Sequence, residues 1–297
     1  MRTHLRKWSL PNLALWLIAA VAVALPLTSW AQLTKADIAV RDNMEAHIGN
    51  LTGHINADSK YAYRRYCVSC HGDLGDGNGE VAQWLDPPMW PKPRNFQLGV
   101  FKCRSTPTGT LPTDQDLFDT IARGLDRSAM PQWSTFTKQE RADLVAYVKH
   151  YSPRFATEKP GTPITIPPEP EVTPDRIKAG RDVFARVQCW KCHGVQGNAD
   201  GPSAPTLQDD LGRPIAPYNF TEGSRPKCGD TDADIYRIFM TGLDGTPMPS
   251  FADNIKPDEA WDLVFYLRTF MAQSSKAKQL AKGLQLKPVD PNAPAGQ

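Results

Sequence analysis

One five-residue pattern constrains this chain more than any other feature. Cys67-Val68-Ser69-Cys70-His71 recurs as Cys189-Trp190-Lys191-Cys192-His193. Cys-x-x-Cys-His is the attachment signature of a c-type haem. Two thiols about one helical turn apart add to the vinyl groups of the porphyrin, and the adjacent histidine becomes the proximal ligand of the iron. The pattern predicts two haem c groups, held by Cys67, Cys70, Cys189 and Cys192, with His71 and His193 as axial ligands. Two other chemistries use paired cysteines. A four-thiolate zinc site leaves the histidine after each pair without a role, and a thioredoxin-like centre asks for a strand-to-helix context missing here.

The 297 residues suffice for two ordinary domains. The 27 prolines exceed average usage, which argues for long irregular loops around a cofactor that supplies part of the core. Residues 1–31 read as an export signal: Arg2, Arg6 and Lys7 precede an apolar run from Leu13 to Leu27, and Ser29-Trp30-Ala31 places cleavage before Gln32. The run is short for a membrane span, and an uncleaved anchor is the alternative. Either way the remainder lies outside the cytoplasm, where c-type haem is attached in bacteria, so a periplasmic location is expected. Residues 1–31 hold three of the 34 basic groups and none of the 32 acidic ones, so the formal charge of +2 falls to −1 on their removal. Nothing in that balance suggests nucleic-acid binding.

Residues 32–57 are polar and form an N-terminal extension with helical character around Asp37 to His47; His47 and His54 are expected at the surface. A first domain spans 58–152 and opens with a helix from Asp58 to Tyr66. The run from Gly72 to Gly79 follows a haem motif and not a strand, so it reads as backbone passing close to a flat macrocycle rather than as a phosphate loop. Thr113 caps a helix running to Gly124, and Thr137 with Glu140 forms the capping box of another to Tyr151. A proline-rich linker covers 153–173. Thr173-Pro174 opens a second domain over 174–273, with one helix predicted to continue through Gly180 to Cys192, and residues 274–297 read as a mobile tail.

The second domain repeats the first. Asp116 to Trp133 aligns without a gap onto Asp234 to Phe251, Asn95-Phe96 recurs as Asn219-Phe220, and Asp143 to Tyr147 recurs as Asp262 to Tyr266. In that register Met130 meets Met248, each followed by proline. A thioether is a soft ligand that favours ferrous iron, so Met130 and Met248 are the candidate second axial ligands. Met240 and Met271, on helices, read as core residues, and Met89 has no repeat partner.

Each half resembles a class I cytochrome c domain: a helix into Cys-x-x-Cys-His, a long loop, a Met-Pro loop and a final helix with a tyrosine. The resemblance covers roughly residues 58–152 and 174–272. It implies an all-α fold of two tandem class I cytochrome c domains, each a small helical fold around one covalent haem c. The first and last helices of each domain would cross, near Tyr63 and Tyr147 in one and Phe184 and Tyr266 in the other. The whole is similar to di-haem cytochromes c that relay electrons between redox protein partners within or beside membrane or periplasmic respiratory complexes. With both axial sites filled, no substrate binds the metal, and an electron carrier rather than an enzyme is expected. The alternative is a di-haem enzyme, a peroxidase or thiosulfate dehydrogenase, with one haem open or unusually ligated. Cys103 and Cys228 depart from the simple pattern and occupy equivalent places, each after a lysine. A bridge stapling the domains about a pseudo-two-fold axis and a pair of buried thiols are both open. In some thiosulfate-oxidising di-haem enzymes a cysteine is an axial ligand; the two methionines argue against that role here.

Overall fold

The computed structural model describes residues 48–84, 91–287 and 289–290. The expected export signal, the helical character near Asp37 to His47, and Met89 lie outside the described residues. Among the described residues all regular structure is helical apart from one isolated bridge between Gln208 and Pro214.

Local signals set most helix starts. Helix α1 (Ala57–Tyr66) begins where Asn56 accepts from the Ser59 N–H and Ser59 reciprocates, then runs into the short α2 (Val68–His71). After α3 (Glu80–Trp84) come α4 (Asp114–Arg123) and α5 (Lys138–Lys149), with capping boxes of Thr113 with Asp116 and Thr137 with Glu140. A short α6 (Arg154–Thr157) closes the first half. The second half repeats the plan with α7 (Pro174–Arg186), α8 (Trp190–His193), α9 (Asp232–Thr241) and α10 (Pro257–Phe270), and adds α11 (Lys276–Ala281). One helix through Cys192 does not form. Gln188 takes a φ of +62°, a left-handed conformation that ends α7, and the second motif restarts as a separate turn.

Two apolar cores form, one in each half. The first gathers Tyr63, Phe96, Phe101, Leu117, Phe118, Leu144, Val145 and Val148. The second, around Phe184, Phe239, Trp261, Phe265 and Tyr266, is larger. The end helices of each half meet through aromatic rings, Tyr63 on Tyr147 at 5.0 Å and Phe184 on Tyr266 at 5.4 Å between centroids.

Three segments pack more than their composition suggests. Ahead of α1, residues 48–56 lie along α5: the His54 N–H and the Asn56 amide both donate to Asp143, at 2.9 and 3.1 Å. The linker is tied to both halves, by Ile164 N–H to the Ser105 carbonyl and by the Trp261 indole to the Pro167 carbonyl. The expectation of a mobile tail from 274 onward is corrected for its described part. Ala277 and Val289 are buried, and Leu280, Leu284 and Leu286 pack on the second core, because these five apolar side chains of a short helix and the segment after it complete that core.

The halves are joined directly. Cys103 and Cys228 form a disulfide with a Cα–Cα distance of 5.2 Å. Ion pairs flank it, Arg104 with Asp244 at 2.6 Å and Arg225 with Asp126 at 2.8 Å.

Candidate functional site

Each motif is presented in the same way. Cys67 caps α2 and accepts from the His71 N–H at 2.8 Å; Cys189 caps α8 and accepts from the His193 N–H at 3.0 Å. In the first half the buried Tyr63 hydroxyl donates to the Gly72 carbonyl at 2.8 Å, pinning the turn after the histidine. Phe184, beside Tyr266 in the second half, makes no such bond.

The imidazoles are held from behind. His71 Nδ1 lies 3.2 Å from the Arg94 carbonyl, and His193 Nδ1 lies 2.9 Å from the Tyr218 carbonyl. A carbonyl only accepts, so Nδ1 carries the proton and Nε2 keeps its lone pair for a metal. Burial pushes His71 down to about 4, against the opposing pull of the carbonyl, and lowers His193 as well. Both are therefore neutral at neutral pH, the form that ligates. Phe96 stacks on His71 with centroids 4.4 Å apart, and Phe220 contacts His193 at 5.0 Å. Arg94 and Tyr218 each stand directly before the repeated Asn-Phe pair. The repeat marked the pair, but the carbonyl ahead of it carries no side-chain signal.

The two methionine loops are near copies. Leu125 N–H donates to the Met130 carbonyl at 3.1 Å, and Leu243 N–H to the Met248 carbonyl at 3.0 Å. The Ser128 and Thr246 hydroxyls donate back to Leu125 and Leu243 and accept from the methionine N–H groups. In the first half Cys67, Cys70, His71 and Met130 line one cleft with Phe96, Leu117, Ile121, Leu144 and Trp133. In the second half Cys189, Trp190, Met248 and Phe251 pack against the core. Met240 packs there too, from α9, and Met271 is buried at the end of α10.

The first cleft fits a covalently attached haem. Its walls are aromatic and aliphatic, two thiols and an imidazole share it with a thioether sulfur, and the cations Lys92, Arg94, Lys102 and Lys227 also line it, which suits the two carboxylates of that group. The competing cysteine chemistries find less support. Among the described residues no group of three or more His, Cys, Asp or Glu side chains converges on a metal position, so the two cysteine pairs are not brought together. Burial pushes the Cys67 and Cys189 thiols up to about 12, the opposite of a reactive dithiol. Cys103 and Cys228 are bridged, which removes them as axial ligands.

The glycine run has a different reason from the one its sequence suggests. Its residues do not line the cleft; a side chain on Gly75 would strike the Tyr151 ring, 2.6 Å away. At Gly75 packing against Tyr151, just beyond the end of α5, excludes a larger residue, while a Cβ on Gly77 would meet the Pro93 carbonyl and one on Gly79 the Ser69 carbonyl, at 2.5 and 2.4 Å.

Comparison with known proteins agrees with this geometry. The family described as cytochrome c matches residues 177–270, and the family described as cytochrome C oxidase, cbb3-type, subunit III, matches residues 56–148. A solved chain from the Kuenenia stuttgartiensis reducing HAO-like protein complex Kustc0457/Kustc0458 is similar over 75% of this chain and 99% of its own, at 40% identity and a TM-score of 0.71. No curated protein sequence matches the chain.

Proposed function

This chain belongs to the cytochrome c family, with two all-α domains in tandem and two covalently bound haem c groups, and from that premise we propose that it relays electrons between redox protein partners outside the cytoplasm. The bound group supplies one-electron exchange between ferric and ferrous iron. In this reading Cys67 and Cys70 hold the first haem and Cys189 and Cys192 the second. His71 and His193 would bind the iron through Nε2, and Met130 and Met248 would supply its thioether ligands.

The single observation that carries the reading is the cleft shared by Cys67, Cys70, His71 and Met130. The protein's own contribution is positional. The Arg94 and Tyr218 carbonyls fix the tautomer and ring plane of each histidine and raise its basicity. The Ser128 and Thr246 turns hold each methionine at one place, so little reorganisation accompanies a change of charge. The aromatic and aliphatic walls exclude water and, with thioether ligation, raise the potential. With one histidine and one methionine in each half to hold the iron, no ligand position would remain for a substrate, which favours a carrier over an enzyme.

Three features support an exported protein: the basic and apolar start of residues 1–31, the haem attachment motifs, and a disulfide of the kind that persists in oxidising compartments. The similar solved chain comes from a redox complex, and this supports docking of the present chain to a larger redox partner. The same likeness keeps an enzymatic role with one open haem as the second reading.

The deciding measurement is the visible spectrum of the oxidised protein, read for the Met-to-iron charge-transfer band in the far red, with haem counted as pyridine haemochrome. Two haems per chain and a full-strength band are expected. Half the band, or a high-spin signal, would mean that one haem is open or otherwise ligated and would move the reading to an enzyme.

A further inference from the structure

Lys102 and Lys227 hold the same place in the two halves, each directly before a cysteine of the interdomain disulfide. The bridge draws the two segments together, and both lysines reach the same cleft, that of Cys67, Cys70, His71 and Met130. Among the described residues lining that cleft, Lys227 alone comes from the second half. It is separated from that cleft's cysteines by more than the length of a domain in sequence, and only the tertiary fold delivers it.

The electrostatics of the pair are unbalanced. Neither lysine has an ion-pair partner among the described residues. Lys102 is pushed down to about 8 by burial first and then by Arg94 and Lys227, with Asp209 and Asp210 opposing. Lys227 is pushed down to about 8 by burial and then by Arg127 and Arg94. Asp210 is already engaged with Arg94, at 3.6 Å. Gathering like charges in a half-buried place is unfavourable unless an anion joins them. The group that the cleft fits carries two carboxylates of its own.

Resting on the haem sites of the proposed function, we propose that Lys227 is a binding residue of the first haem in trans. Tethered by the Cys103–Cys228 bridge, it joins Lys102 in pairing with the carboxylates of the haem bound at Cys67 and Cys70, so the first site is incomplete without the second domain. Reduction adds negative charge to the site, and a fixed cation favours it. The second domain therefore sets part of the first haem's potential.

The test is a spectroelectrochemical titration of the full-length, haem-loaded protein with haem counted in parallel. In Lys227→Gln one of the two potentials is expected to fall, by three- to tenfold in electron affinity, tenfold being about 59 mV for one electron. Lys102→Gln should lower the same potential, Lys227→Arg should keep it near the parent value, and the far-red band should persist in all three. The double variant Cys103→Ser with Cys228→Ser is an independent arm that retains both lysines, and it should lower the same potential. Two haems per chain with neither potential moved in Lys227→Gln, or with both moved equally, would overturn the proposal, and an unmoved potential in the double variant would overturn the tether. Fewer than two haems in the parent protein would instead overturn the functional reading itself.

Discussion

The Arg104 guanidinium donates to an Asp244 carboxylate oxygen across 2.6 Å, joining the disulfide loop of the first domain to the methionine loop of the second. The same nitrogen donates to the Thr241 carbonyl at 2.6 Å, and the Arg104 side chain has no solvent exposure. Asp244 also accepts from the Thr108 hydroxyl and the Gly109 N–H. Its repeat partner Asp126 pairs with Arg225 at 2.8 Å, again across the domains, but that arginine is 50% exposed. Each domain therefore braces the loop that carries the other's methionine, once through a desolvated pair and once at the surface.

The two braces differ in worth. Removing one partner of a buried, hydrogen-bonded pair costs about 3–5 kcal/mol, whereas an exposed pair contributes roughly 0–1 kcal/mol. Arg104→Ala is expected to lower stability to the denaturant by the first amount and Arg225→Ala by the second. Equal shifts in the denaturation midpoint would show that the burial difference carries no energy.

Gly180 lets α7 cross α10 at backbone contact: a Cβ there would lie 1.9 Å from the Asp262 carbonyl oxygen, which no rotamer change relieves. Gly180→Ala must separate the two helices, and overpacking of this kind costs about 3 kcal/mol. Calorimetry on the haem-loaded protein checks this. An unchanged melting temperature would mean that the crossing is looser than the structure has it.

Gly242 ends α9 with a φ of +69°, and a Cβ on it would lie 2.6 Å from the Ser250 N–H nitrogen. A side chain is disfavoured both by the backbone conformation and by the methionine loop itself. Gly242→Ala is expected to displace Met248 and to halve the far-red band while the haem count stays at two. A full band would separate this glycine from ligand positioning.

The disulfide closes a span of 125 residues. Denatured, unreduced, haem-loaded protein should contain no free thiol, four cysteines being in thioethers and two in the bridge. Reducing the bridge should cost about 2–4 kcal/mol by freeing the unfolded chain. Two titratable thiols per chain would show that the bridge does not form.

Much of this protein was legible in its residues because the signals are local. A cap and its box lie within four positions, so Thr113, Thr137 and Thr173 announced their helices. The haem motifs are five residues long, and the repeat register paired Met130 with Met248 without reference to space. The misreadings arose where a distant partner decides. Gly75 faces Tyr151, and the residues after 274 pack as a helix because the second core offers an apolar surface to cover. Gln188 is the exception, a local break for which its residue type gives no warning.

The chain's own residues determined that there are two helical domains and two attachment sites, because covalent attachment and helix capping need only neighbours in sequence. Tertiary structure alone decided what joins them. The Arg104–Asp244 brace spans 140 positions of chain, and Lys227 enters the first cleft from the far domain. A charge has no periodicity and no motif; its partner is whatever the fold places within reach, and burial then makes that pairing count.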